Sequence, residues 1–127
     1  MQGLHLTGDL SGCRCAAALL TDVSALEALC GEAVAAAGLT EVQRLFHRFA
    51  PGAGITGVLL LAESHLAVHT WPELGAVTLD VYVCNYGSDN SARARALFDV
   101  LCAAFDPASL QSQALQRGDA TLTPGLT

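Results

Sequence analysis

ITGVLLLAESHLAVHTWPELGAVTLDVYVC, residues 55–84, reads as three consecutive β-strands. Ile55 to Leu61 is a β-rich apolar run with the character of a buried strand. After a break at Ala62-Glu63-Ser64, His65 to Thr70 alternates. Trp71-Pro72-Glu73-Leu74-Gly75 turns the chain. Ala76 to Cys84 then alternates again, with Val77, Leu79, Val81 and Val83 set against Thr78, Asp80 and Tyr82. Strands on such short connections pair antiparallel.

Working outward, Glu41 to Phe49 predicts a further strand, with Leu45, His47 and Phe49 on one face and Arg44, Phe46 and Arg48 on the other. Pro51-Gly52-Ala53-Gly54 turns it into the next strand. Asp22 to Ala37 predicts an amphipathic helix whose stripe is Val23, Leu26, Cys30, Ala33 and Ala37. Ser24 and Glu27 have capping-box spacing, with Thr21 or Asp22 as the other N-cap candidates, and Gly38 is a suitable stop. Leu4 to Leu10 reads as a first strand. Asn85 to Asn90 is a polar loop. Ser91 caps a helix to about Phe105 with Leu97, Val100, Leu101 and Ala104 inward. Ser109 to Gln116 is a last strand, and Gly118 to Thr127 a loose tail. The order β-α-β-β-β-β-α-β predicts an α+β two-layer sandwich, a largely antiparallel sheet with two helices on one face.

The chain has 127 residues, 52% hydrophobic and 14% charged. That length suits one domain spanning 1–127. The composition is too apolar for disorder and favours a homo-oligomer that hides part of the surface. The net charge is −6, with six Arg and no Lys. No basic cluster exists to bind phosphates, which argues against a nucleic-acid partner. Without lysine, no ε-amine can anchor pyridoxal phosphate, so an electrophile has to come from elsewhere.

The five cysteines are odd in number and lack zinc-ribbon or C-x-x-C spacing. No signal-peptide pattern opens the chain. No apolar stretch, Val58 to Ala62 included, is long enough to span a bilayer. The expectation is a cytoplasmic protein with free thiols and no membrane partner.

E-S-H-L-A-V-H-T-W, Glu63 to Trp71, gathers two of the four His, a Ser and the only Trp. His65 and His69 are an even number of steps apart, so a strand points both the same way. Read from the residues alone, His69 is either a hydrogen-bonded sheet histidine or a chemical group. No third ligand stands at a metal-binding spacing. Ser64 alone reads as a turn residue, without a G-x-S-x-G elbow. Cys84 alone reads as a core thiol.

The run G-V-L-L-L-A-E-S-H-L-A-V-H-T-W-P-E-L-G from Gly57 to Gly75 closely resembles the signature of bacterial S-adenosylmethionine decarboxylase proenzymes. So does D-V-Y-V-C ending at Cys84. Phe46-His47-Arg48-Phe49 and the P-x-x-G-I-T-G run resemble the family's F-H-x-F and P-x-G-V-[ST]-G. His5-Leu6 and Gly12-Cys13 also fit, so the likeness covers about residues 4 to 117.

The resemblance implies self-cleavage between Glu63 and Ser64, giving a β chain 1–63 and an α chain 64–127. Ser64 Oγ attacks the Glu63 carbonyl, the resulting ester is cut by β-elimination, and the new dehydroalanine terminus loses ammonia to become a pyruvoyl group. That group, with no pyridoxal phosphate and no metal, accepts the substrate α-amine and the electrons left as carbon dioxide departs. By the same resemblance His69 is the processing acid/base, Thr56 assists processing and Cys84 is the proton donor. Phe49 and Leu66 sandwich the adenine, and Glu73 holds the ribose hydroxyls. The partners implied are a small-molecule substrate and further copies of the processed protomer, as a homodimer or a higher assembly built from it.

Three local departures bear on the substrate more than on the chemistry. Leu74-Gly75-Ala76 replaces Tyr-Gly-Tyr, Val83-Cys84-Asn85 replaces T-C-G, and Asp9-Leu10-Ser11 lacks the usual aromatic. The leading expectation is decarboxylation of S-adenosylmethionine for spermidine synthesis. The alternatives are a pyruvoyl-dependent decarboxylase of arginine or ornithine, and an unprocessed, non-catalytic paralogue.

Overall fold

The structure is a computed structural model, and it describes residues 1–119 and 121. Six strands form one sheet: β1 (Gln2–Ser11), β2 (Glu41–Arg48), β3 (Ile55–Leu61), β4 (Ser64–Trp71), β5 (Ala76–Cys84) and β6 (Ser109–Gly118). Their order across the sheet is β2-β3-β4-β5-β1-β6. Every neighbouring pair is antiparallel. The helices α1 (Ala18–Thr21), α2 (Val23–Ala36) and α3 (Ser91–Phe105) cover one face. The fold is therefore the expected α+β sandwich.

The alternation that predicts the strands also fixes the layers. Leu66, Val68, Val77, Leu79, Val81 and Val83 are buried with Leu26, Leu97, Leu101 and Phe105 between sheet and helices. Each such aliphatic side chain contributes about 1.5–3 kcal/mol by leaving water. Gly57 has no side chain because the Phe46 ring lies over it from the paired strand. Phe46 packs against the core, while Leu45, His47 and Phe49 face outward.

Several local expectations are corrected. The single turn α1 was not foreseen; four residues of Ala-Leu-Leu-Thr carry no helical period to detect. Its carbonyl at Leu20 accepts from Thr70 Oγ1 at 2.8 Å, and the same hydroxyl accepts the Ile55 N–H at 2.9 Å. Of the three N-cap candidates for α2, Asp22 holds the position, as one reading has it, its carboxylate accepting the Ser24 N–H, so Ser24 lies inside the helix. Asn90, not Ser91, occupies the N-cap of α3. Val100 is 49% exposed, and Phe98 and Cys102 take the inward positions instead. The last strand runs on to Gly118, and Asp119 and Met1 exchange backbone hydrogen bonds of 2.7 Å. The expected loose tail therefore does not begin at Gly118. The rest of that tail, residue 120 and residues 122–127, lies outside the described residues.

Candidate active site

Apart from Leu66, the residues singled out above lie on the uncovered face of the sheet or near the ends of β4. Leu61 pairs with Ser64, so Ala62 and Glu63 are the whole turn between β3 and β4. In this turn the second residue, Glu63, takes a positive φ of +57, a region that glycine or asparagine occupies cheaply. A left-handed residue with a Cβ costs roughly 1–2 kcal/mol. The peptide bond into Ser64 therefore leaves a strained residue.

Ser64 is half-buried, and its Oγ accepts the Cys84 N–H at 3.3 Å. Cys84 ends β5, and alternation with Asp80 and Tyr82 puts its side chain on the uncovered face. Ser64 Oγ thus meets the Cys84 backbone N–H across β4 and β5, while strand alternation sets Ser64 with Leu66 and Val68 on the helix-covered side.

The second group sits at the other end of β4. His69 stands opposite Thr56 on β3, and His69 Nδ1 lies 3.1 Å from Thr56 Oγ1. Its ring stacks on Trp71 at 5.9 Å and 28°. These residues line a cleft of about 350 Å³ together with Phe49, Ala53, Gly54, Thr70 and Glu73. Gly54 leaves no room for a side chain, because a Cβ there would meet the Thr70 carbonyl. Pro72–Leu74 forms a 3₁₀ turn that presents Glu73, and Gly75 ends it at φ +58. Exposed Phe49 and Glu73 offer an aromatic face and a carboxylate to a ligand. Trp71 was not assigned a role from the sequence; its signal was its position two residues past His69 on the same strand face.

The two groups do not meet within one chain. Ser64 and His69 are five residues apart on one strand, on the order of 16 Å at about 3.3 Å per residue. His69 is therefore out of reach of the Glu63–Ser64 bond of its own chain. Leu66 is a correction. It is fully buried under the helices, on the face opposite His65 and His69, and does not line the cleft with Phe49 and Glu73.

Between the two groups, the uncovered face carries a polar cluster. His5 Nε2 lies 3.0 Å from Asp80 Oδ1, Arg117 reaches His5 Nδ1 at 3.3 Å, and His65 stacks on Tyr82 at 5.6 Å. Burial, with the nearby His5 second, pulls His65 below the usual histidine pKa. Burial pushes the Cys30 thiol up to about 12 and that of Cys102 to about 11, which leaves both protonated and inert. A second cleft of about 310 Å³ between α3 and β6 contains none of the residues singled out from the sequence. Among the described residues no three His, Cys, Asp or Glu side chains gather as a metal site, and no helix is long and apolar enough to cross a membrane.

Comparison with known proteins points to one family. The model of the S-adenosylmethionine decarboxylase family matches residues 4–118. A protein of Picrophilus torridus named S-adenosylmethionine decarboxylase proenzyme is 38% identical over 91% of this chain and 84% of its own length. Its namesake from Aquifex aeolicus is 40% identical over 91% of this chain and 81% of its own. The crystal structure of the adenosylmethionine decarboxylase from Aquifex aeolicus superposes with a TM-score of 0.82 at 36% identity, covering 93% of this chain and 92% of that one. On the length of these matches and the shared fold, the chain belongs to the S-adenosylmethionine decarboxylase family.

Proposed function

We propose that this chain is a proenzyme that cuts itself between Glu63 and Ser64, and that the processed protein decarboxylates S-adenosylmethionine to the aminopropyl donor for spermidine. The observation that carries the reading is the left-handed Glu63 immediately before a serine whose Oγ is already hydrogen-bonded to Cys84. Attack by Ser64 Oγ on the Glu63 carbonyl relieves that strain and transfers the acyl group from nitrogen to oxygen. Elimination then leaves chains of residues 1–63 and 64–127. The surroundings of Ser64 fit a pyruvoyl group: a short strand-end position, a backbone N–H beside it, and a thiol on the neighbouring strand. Such a group supplies a carbonyl that takes the substrate amine and the electrons of the breaking carbon–carbon bond.

Cys84 then holds a proton for the substrate carbon, a role open to a thiol. Phe49 offers its ring to the adenine and Glu73 its two oxygens to the ribose hydroxyls. Thr56 and His69, hydrogen-bonded to one another, form the acid/base pair for processing.

Because His69 cannot reach its own Ser64, these roles require two copies. Packing the uncovered faces of two protomers together, antiparallel along β4, sets the Ser64–Cys84 end of one against the Thr56–His69–Glu73 end of the other. The uncovered face is suited to burial: Leu45 is 72% exposed, Phe49 66% and Leu60 47%. A homodimer of processed protomers follows, with two equivalent sites.

The names of the relatives support S-adenosylmethionine as substrate and lend nothing to arginine, ornithine or an unprocessed paralogue. The test is carbon dioxide release from the three substrates side by side. Release from S-adenosylmethionine alone is expected; release from arginine or ornithine instead would move the assignment to a basic amino acid.

The strain at Glu63 gives a second test. Glu63→Gly removes about 1 kcal/mol of ground-state strain, so self-cleavage is expected to slow roughly fivefold, followed as the loss of the intact chain. An unchanged or faster rate would mean that the turn geometry does not assist the cut.

A further inference from the structure

Cys84 is held by more than its strand. Its N–H donates to Ser64 Oγ, and its carbonyl accepts from Asn90 Nδ2 at 3.0 Å. Asn90 is itself fixed from two sides: its N–H donates to Asn85 Oδ1 at 2.8 Å, and its Oδ1 accepts from Arg93 at 2.8 Å. Asn85 Nδ2 donates to Ser91 Oγ at 3.1 Å, which anchors the brace to the first turn of α3. The orientation of the Asn90 amide follows from its partners, since a carbonyl takes only a donor and a guanidinium only an acceptor.

Asn90 stands at the N-cap of α3, where an asparagine side chain ordinarily turns onto the first free N–H groups of its own helix. It makes no such bond here. Asp89 accepts the Ser91 N–H at 2.9 Å instead. A side chain well suited to capping is thus directed to the Cys84 carbonyl. Asn85 stands where the resembling family has glycine, which has no side chain with which to brace Asn90.

We propose that Asn90, braced by Asn85, is a positioning residue that fixes Cys84 at the end of β5 for proton transfer. The inference rests on the reading of Cys84 as proton donor. The strand ladder ends at Cys84, and strand ends are where backbone moves most easily. Misplacing a reacting group by about 1 Å lowers the rate by up to about 100-fold.

Asn90→Asp tests this. It keeps the size, the N-cap preference, the backbone bond to Asn85 and the acceptor for Arg93, and replaces the donor to the Cys84 carbonyl with a charged carboxylate oxygen that repels it. The variant is expected to fold with a thermal midpoint within a few degrees of the parent and to self-cleave to completion. Its kcat is expected to fall about 10- to 100-fold with KM nearly unchanged. Amide exchange at residues 83–86 should quicken, a readout independent of turnover.

Unchanged kcat and exchange would overturn the proposal. So would a fall in kcat accompanied by a rise in KM and a lowered thermal midpoint, which marks a merely structural residue. Cys84→Ala separates the two levels. Normal turnover in that variant would overturn the donor reading and the functional half of this proposal. The exchange result for Asn90→Asp would still decide whether Asn90 holds Cys84.

Discussion

A Ser64→Ala chain is expected to remain a single polypeptide at the full 13.1 kDa under denaturing conditions, and to release no carbon dioxide from any substrate. The parent is expected to resolve into two fragments near half that mass. The substitution removes the only atom proposed to attack the Glu63 carbonyl, so the effect is loss of the reaction rather than a graded slowing. The fold should survive. Ser64 Oγ makes one hydrogen bond, to the Cys84 N–H at 3.3 Å, and a typical bond of this kind contributes about 1 kcal/mol net. A shift of several degrees in thermal midpoint is the most that should follow. Appearance of both fragments from Ser64→Ala would overturn self-cleavage at this bond. An uncut parent after long incubation would do the same.

Much of this was legible in the sequence because strand alternation is local. The boundaries of Ile55–Leu61 and Ala76–Cys84 were read as the structure has them. The same alternation carried information that the family resemblance overrode. If His65 and His69 point to one face, Leu66 must point to the other, and its burial in the core follows without a structure. Other features were not local. Nothing in Leu4–Leu10 or Ser109–Gln116 says that β1 lies between β5 and β6; that order depends on contacts across most of the chain. The Asn85–Asn90 brace was equally invisible, because a six-residue polar loop has no period to show which amide faces which carbonyl. The separation of Ser64 from His69 was available once both were placed on or next to one strand. Its consequence appears only when the two are asked to act on one bond.

That consequence gives the prediction with the largest contrast. A Ser64→Ala chain lacks the nucleophile but keeps Thr56, His69 and Glu73. A His69→Ala chain keeps Ser64 and Cys84 but lacks the acid/base group. Each alone is expected to stay uncut. When the two are co-expressed in equal amounts and pair at random, about half of the His69→Ala chains should have a Ser64→Ala partner. In those mixed dimers the intact Ser64 of one chain meets the intact His69 of the other. Only the His69→Ala chain should therefore be cut, to about half its amount, and a mass tag on either variant identifies which one. If His69 acted within its own chain, neither variant would be cut in the mixture. The roughly 16 Å between the two residues along β4 forbids that arrangement unless the strand itself is broken. Cutting of the His69→Ala chain on its own would remove His69 from processing altogether. Cutting confined to the mixture places the Ser64 end and the His69 end of one working site on two different copies, and makes dimerisation a condition of the chemistry rather than an accompaniment to it.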